Sequence, residues 1–307
     1  MSNIYKYAGP DTLDLIVKDN GIATLKCSYP KDFNDPFELF LTIDYQTEPE
    51  LLAYYEEIIG EIPQLPTTCF SRSPAVAPMW AHYANNLQGF AIQFDEPLLQ
   101  EGLPDSGFGN VSYLSGPSKG LLDLLEKAYT LQKPRYIAWL QQGAFQAAYY
   151  TKADYWNYEN ERRMIVGESE VRSIGSVMLM DAPKGSVTAL IAGPRASGEL
   201  CRKLQEKADL FECEYFQMKI GRSSITPFFL DADGIAYQFN GQNLVLGRDL
   251  CDVCQEPVRV GMATCSWCRI NKSHRDEAAG RNTFRIMENY GILDGYLESV
   301  RRMNSNK

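Results

Sequence analysis

Two groups of residues in this 307-residue chain have types and spacings suited to chemistry. The first is CDVCQEPVRVGMATCSWC, where Cys251 and Cys254 stand three positions apart and Cys265 and Cys268 repeat the spacing. Two thiolates so placed on a tight turn grip one ion, and two such turns complete a tetrahedron. A zinc ion is expected there. Four thiolates leave it no open position, so its role is structural. Iron suits the same ligands, and free or redox-active thiols are the alternative. The second group is WNYENERRMIV, in which Glu159 and Glu161 are separated by one residue.

What that couplet can do depends on its backbone. In a strand, residues i and i+2 share a face, whereas in a helix they diverge by about 200°. The aromatic and β-favouring residues around the couplet predict a strand. Glu159, Glu161 and Arg163 then lie on one face, with Tyr158 and Met164 on the other. Two carboxylates in one hollow can transfer a proton or steady a cationic sugar during cleavage of a glycosidic bond. One would accept a hydrogen bond from the sugar hydroxyl beside the reacting centre. The other, two residues earlier, would orient the nucleophile. The plainer alternative is an exposed strand face bearing a Glu–Arg pair.

Smaller candidates surround these. His82 and Tyr83, in MWAHYANN, are read as a proton-transfer pair, with a buried histidine bonded to backbone as the alternative. The chain holds two histidines, so a multi-histidine metal site is excluded. Asn34 and Asp35 precede Pro36, which biases Asp35 toward an extended or turn conformation. They form either an Asx-type turn or part of a site. Asp35, Glu159 and Glu161 together could alternatively bind Mg²⁺ in a nuclease.

The elements that must position these residues follow from periodicity and punctuation. IYKYA, IATLKCS, TTCFSRS, GFAIQFD, SVMLM, SVTALIAG, CEYFQMKI and SSITPFFL read as strands. DTLDLIVKDN, EPELLAYYEEIIGEI, PMWAHYANN and GPRASGELCRKLQEKADL read as helices. The 119–150 segment is helical, with Pro134 starting a second helix or kinking the first. A helix over 275–303 is expected after the cysteines. Strands and helices without regular alternation predict an α+β fold, a mixed or antiparallel sheet with flanking helices. Residues 1–240 would form this main domain and 241–307 a zinc ribbon with a C-terminal helix.

Composition bounds the partners. Net charge is −9, and through Phe70 twelve acidic residues face four basic ones. From Val245 onward ten basic residues face eight acidic ones. A nucleic-acid partner would therefore meet local basic faces and not a generally basic protein. The basic residues after the last cysteine could grip phosphates, dock on the main domain, or pair with a second copy. No apolar run reaches the ~20 residues of a membrane span, and no signal peptide is evident, so a cytoplasmic protein is expected. Cys27, Cys69, Cys201 and Cys213 read as buried thiols; a Cys201–Cys213 disulfide suits the spacing but not a reducing compartment.

YKY, FNDPFE, CFS followed by MWAHY and GFAIQFD, then WNYENERR, resemble a bacterial domain family of unknown function, number 2971 in that series. That resemblance covers residues 5–230 and implies no chemistry. YKY, TLDLIVKDNG, IATLKCS, TCFS and the late Glu-x-Glu are also similar, more weakly, to ADP-ribosyltransferases. This second resemblance implies an enzyme acting on NAD by ADP-ribosyl transfer to a nucleic-acid or protein acceptor, or by hydrolysis. Tyr7 would contact the nicotinamide end, Ser71 would support the binding scaffold, and Glu161 would act on the ribose. The first-strand His or Arg of that group is absent at Tyr7, unless Lys6 or another residue serves in its place. Such enzymes often serve as toxins or phage-defence effectors. A non-catalytic pocket for a nucleotide or a protein terminus is the remaining alternative.

Overall fold

The computed structural model of the chain describes residues 2–33, 35, 43–60 and 63–305. Asn34, singled out above, lies outside them. The chain divides into two compact units, 1–247 and 248–307.

In the first unit the strands are β1 (Asn3–Ala8), β2 (Thr24–Cys27), β3 (Thr67–Ser71), β4 (Phe90–Asp95) and β5 (Gly107–Asn110). Next come β6 (Ser112–Leu114), β7 (Thr151–Ala153), β8 (Glu161–Ile165), β9 (Arg172–Ile174) and β10 (Val177–Asp181). The last are β11 (Val187–Ala192), β12 (Glu214–Lys219), β13 (Phe228–Asp231), β14 (Ala236–Phe239) and β15 (Leu244–Leu246). Its helices are α1 (Leu13–Ile16), α2 (Pro49–Ile59), α3 (Ala77–Tyr83) and α4 (Glu96–Gly102). They continue with α5 (Lys119–Leu131), α6 (Pro134–Tyr150) and α7 (Gly198–Leu210). The second unit holds α8 (Lys272–Arg281), α9 (Thr283–Asn289) and α10 (Leu293–Ser305).

The fold is α+β. Among the described residues the main sheet runs β15-β14-β13-β12-β11-β4-β1-β3-β8-β5. Within this sheet only β11 and β12 pair in parallel, across the crossover helix α7, and β6 and β7 form a separate parallel pair. A second sheet, β2-β10-β9, meets it through the single Ser28–Thr67 bridge at the end of β2. Every residue of β4 is buried, as expected of a central strand covered on both faces. Alternate residues of β1 and β4 feed two apolar clusters. Ile4, Phe90, Ile92 and Phe94 join one with Phe70 and Leu190. Tyr5, Tyr7 and Ala91 join the other with Trp80, Ile191 and Phe216. Each fully buried side chain of this size contributes about 1.5–3 kcal/mol. A third cluster joins α2, α5 and α6 through Tyr55, Leu125, Leu140 and Ala144.

Local signals explain most helix boundaries. Pro134 opens α6, so the 119–150 segment is two helices and not one kinked helix. Asp95 accepts from the Leu98 N–H to cap α4, and Ser197 accepts from the Leu200 N–H to cap α7.

Three expectations are corrected. DTLDLIVKDN forms only a 3₁₀ turn and the four-residue α1, because Val17 bridges to Ala23 instead of continuing the helix. The expected 275–303 helix is three helices, broken where Asn282 caps α9 and where Gly291 takes φ +70°. The strand expected through Trp156–Glu159 is a 3₁₀ turn, Asp154–Glu159, and extended backbone begins only at Glu161.

Candidate active site

Glu159 ends a 3₁₀ turn and Glu161 begins β8, so no shared strand face aligns the two acids, yet both reach one hollow. Asn160 sits between the turn and β8 with φ 46° and ψ 51°, a left-handed conformation that Asn tolerates better than most residues. It swings the chain so that the last side chain of the turn and the first of the strand converge. The backbone groups around this corner are all used. Ser71 Oγ donates to the Glu159 carbonyl at 2.7 Å, and the Arg72 N–H donates to the Asn160 carbonyl at 3.0 Å. The Glu161 N–H donates to Tyr113 Oη at 2.8 Å.

Lys152, on β7 directly after α6, stands between the two carboxylates. Its Nζ donates to Glu159 Oε2 at 2.6 Å and to Glu161 Oε2 at 3.3 Å. Tyr83, at the end of α3, donates its hydroxyl to Glu159 Oε1 at 2.5 Å. Arg163 Nε donates to Glu161 Oε1 at 2.9 Å, and its Nη1 to the Tyr149 carbonyl at 2.7 Å. Arg163 is 0% exposed, and its guanidinium lies 5.2 Å from the Phe33 ring centroid. Four charged side chains are thus buried together as two acids and two bases. Such a group survives burial only if each charge is paired and hydrogen-bonded.

The surroundings separate the two acids. Burial alone would push Glu161 up, but the Arg163 and Lys152 charges outweigh it and hold the carboxyl down at about 2. Burial also pushes Glu159 up, and there Lys152 and the Tyr83 hydroxyl only partly offset it, leaving the group raised from its ordinary value. Lys152 loses by burial and gains more from the two carboxylates, so it stays protonated. Burial raises Tyr83, and hydrogen bonding to Glu159 raises it further, so its phenol keeps its proton.

Tyr83, Lys152, Glu159 and Glu161 line a cleft of about 540 Å³, within the range of about 300–1,000 Å³ usual for small-molecule sites. The sheet makes this space where β1 and β3 separate. Those strands share one registered pair, Tyr5 with Ser71, and Ser71 in turn pairs with Glu161 on β8. Beyond that pair Lys6 takes over, its Nζ donating to Thr68 Oγ1 and to the Cys69 carbonyl, each at 2.9 Å. Burial lowers the Lys6 pKa. Apolar groups at the cleft include Phe33, Leu15, Val177 and Leu179.

Of the residues singled out in the sequence, Tyr7, Ser71, Tyr83, Glu159 and Glu161 line this one cleft. Tyr7 is tied down: its hydroxyl donates to the Ser73 carbonyl at 2.7 Å, and its ring meets the edge of Trp80. His82 is not brought in. It is exposed, its ring is 6.3 Å from that of Tyr83, and it does not line the cleft. The reason is helical geometry, which turns adjacent residues of α3 about 100° apart. Asp35 is buried but does not line the cleft. Sequence reasoning missed Lys152 and Tyr113, which parallel β6–β7 pairing sets side by side. A lone lysine at a helix exit seven residues before an acid gives little warning of its role.

In the second unit the sulfurs of Cys251, Cys254, Cys265 and Cys268 all lie within 4.8 Å of one another. The Cys265 N–H points at Cys251 Sγ and the Cys268 N–H at Cys265 Sγ, each at 3.3 Å. Such donors favour thiolates. The four cysteines form a cluster able to hold a metal ion.

Residues 79–164 match the family model of a protein of unknown function, DUF2971. The matched DUF2971 segment runs from α3 into β8 and carries Tyr83, Lys152, Glu159, Glu161 and Arg163. A solved structure similar to this chain is Thermus sp. 2.9 DarT in complex with ADP-ribosylated ssDNA. It is 13% identical, with 69% of this chain and 89% of that chain covered and a TM-score of 0.30. No curated protein matches the chain. No described helix is long and apolar enough to cross a membrane.

Proposed function

We propose that the cleft cleaves the N-glycosidic bond of NAD, passing ADP-ribose to an acceptor or to water. The observation that carries this reading is the pair of buried carboxylates in one cleft, Glu161 held below its ordinary value by Arg163 and Lys152 and Glu159 raised above its own by burial. Titratable neighbours pushed apart in this way take different roles in a reaction. Glu161, kept ionised by Arg163 and Lys152, accepts a hydrogen bond from the ribose hydroxyl beside the reacting carbon and opposes the positive charge that develops there. The bond from C1′ to the nicotinamide nitrogen breaks, and its electron pair leaves with nicotinamide. A new bond forms from C1′ to the acceptor oxygen or nitrogen, whose proton passes to Glu159. Tyr83 and Lys152 hold Glu159 for that step. Ser71 fixes the backbone carbonyl of Glu159, and Tyr7 contributes an apolar ring at the nicotinamide end.

A metal-dependent nuclease finds less support. The oxygens of Glu159 and Glu161 already face an ammonium and a guanidinium, and Asp35 is not at the cleft. Among the described residues, only the four cysteines group at metal-ligand spacing. For that cluster we propose zinc, since Zn–S bonds of about 2.3 Å place tetrahedral sulfurs about 3.8 Å apart, and Cys254 and Cys265 stand 3.9 Å apart. Zinc there would cross-link the two turns.

The test is incubation of the full chain with NAD and measurement of free nicotinamide, with and without candidate acceptors. Release is expected, and Glu159→Gln should reduce it by about 10²–10⁴, the contribution of a positioned general base. Equal release by the variant, or binding of NAD without any turnover in the wild type, would overturn the reading. The second outcome would leave a recognition pocket.

A further inference from the structure

The helices of the 248–307 unit carry a large apolar surface that they do not cover. None of α8, α9 or α10 buries a residue. Phe284 is 54% exposed, Tyr290 78%, Ile292 57%, Tyr296 43% and Met303 62%. On α10 the spacing of Leu293, Tyr296, Leu297, Val300 and Met303 gathers them into one stripe. We propose that this stripe packs antiparallel on the α10 stripe of a second copy of the chain, about a two-fold axis beside Leu297 and Glu298.

Charge favours this occupant and this direction. Glu298 and Arg302 pair with each other along the helix. Asp294 and Arg301 have no partner among the described residues. They stand one heptad apart, so both flank the same edge of the stripe. An antiparallel two-fold sets Asp294 of each copy opposite Arg301 of the other, giving two complementary pairs in a self-matching interface. Parallel two-fold pairing would set this edge against the Tyr296 and Met303 edge of the other copy and leave both charges without a partner. Phe284 of α9 widens the stripe, its ring centroid 6.1 Å from that of Tyr296 on α10.

The experiment is sedimentation equilibrium on the full-length, metal-loaded chain. The wild type should be a dimer, and Leu297→Glu should give a monomer with unchanged circular dichroism and metal content. Asp294→Arg and Arg301→Asp should each weaken association by about tenfold or more, since each replaces two attractions with two repulsions. The double exchange should restore it. A wild-type monomer would overturn the proposal, whether its stripe lies against residues 1–247 or stays open. So would a dimer that survives Leu297→Glu, or a double exchange that fails to restore association. The double exchange keeps the test decisive even if one single variant folds poorly, because a damaged fold is not repaired by a second charge reversal.

Discussion

Glu159 and Glu161 are almost equally buried, and what distinguishes them is their partners. Glu161 is bracketed by Arg163 and Lys152, whereas Glu159 has a phenol and a share of the same lysine. Removing each charge should therefore have a different consequence. Glu159→Gln leaves Lys152 paired with Glu161, so its main effect should be on nicotinamide release. Glu161→Gln leaves Arg163 buried without its carboxylate and should cost about 3–5 kcal/mol, the usual penalty for orphaning a buried charge. Urea unfolding of the two variants at neutral pH would measure the contrast. The pH dependence has a definite sign. Because the folded pKa of Glu161 lies below the ordinary 4.5, its stabilisation is complete above that value and is lost as pH falls toward about 2. Glu161→Gln should flatten the stability profile in that acid window. Glu159 is shifted the other way, so the acid limb of activity should lie above the ordinary carboxylate value.

At the scale of elements, the corner between the 3₁₀ turn and β8 governs the site. Asn160 holds a left-handed backbone that costs a β-carbon-bearing residue about 1–2 kcal/mol unless its side chain helps locally. Asn160→Gly should preserve nicotinamide release, while Asn160→Ala should lower both stability and activity, as thermal unfolding and turnover would show together. Behind α3 the chain passes close to β1 at Gly89, where a β-carbon would come within 2.1 Å of the Ala8 carbonyl at the end of β1. That close approach seats α3, and with it Tyr83, beside β1. The same scale explains why expectation failed at α1 and over 275–303. In the first, a β-bridge at Val17 outcompetes helix propagation; in the second, a capping Asn and a glycine divide one periodic pattern into pieces.

At the scale of the molecule, charge and cysteine chemistry divide between the units. Residues 1–247 carry 31 acidic and 20 basic side chains, whereas 248–307 carry 8 and 10. An anionic acceptor therefore meets repulsion over the first unit as a whole and slight attraction over the second. The cysteine cluster lies in the second unit, and the carboxylate cluster in the first. Denaturing the purified chain in the presence of a chromogenic chelator should release about one equivalent of zinc. Stripping the metal from the folded chain should expose the 248–307 unit to proteolysis while nicotinamide release by residues 1–247 continues. Loss of both together would contradict that division.

The sequence by itself determined the α+β class, most of the strands and the cysteine cluster, and it singled out Glu159, Glu161, Tyr83 and Ser71, which line one cleft. Those features rest on local rules, namely period-two burial, paired CxxC spacing, and acidic residues embedded among aromatics. Only the tertiary structure decided why the two acids meet. Their convergence depends on one left-handed residue, on a lysine delivered by the end of a helix, and on an arginine buried beneath them. It also excluded His82 and opened the cleft where β1 parts from β3. Such facts belong to contacts between segments distant in the chain, and no periodicity within a segment records them.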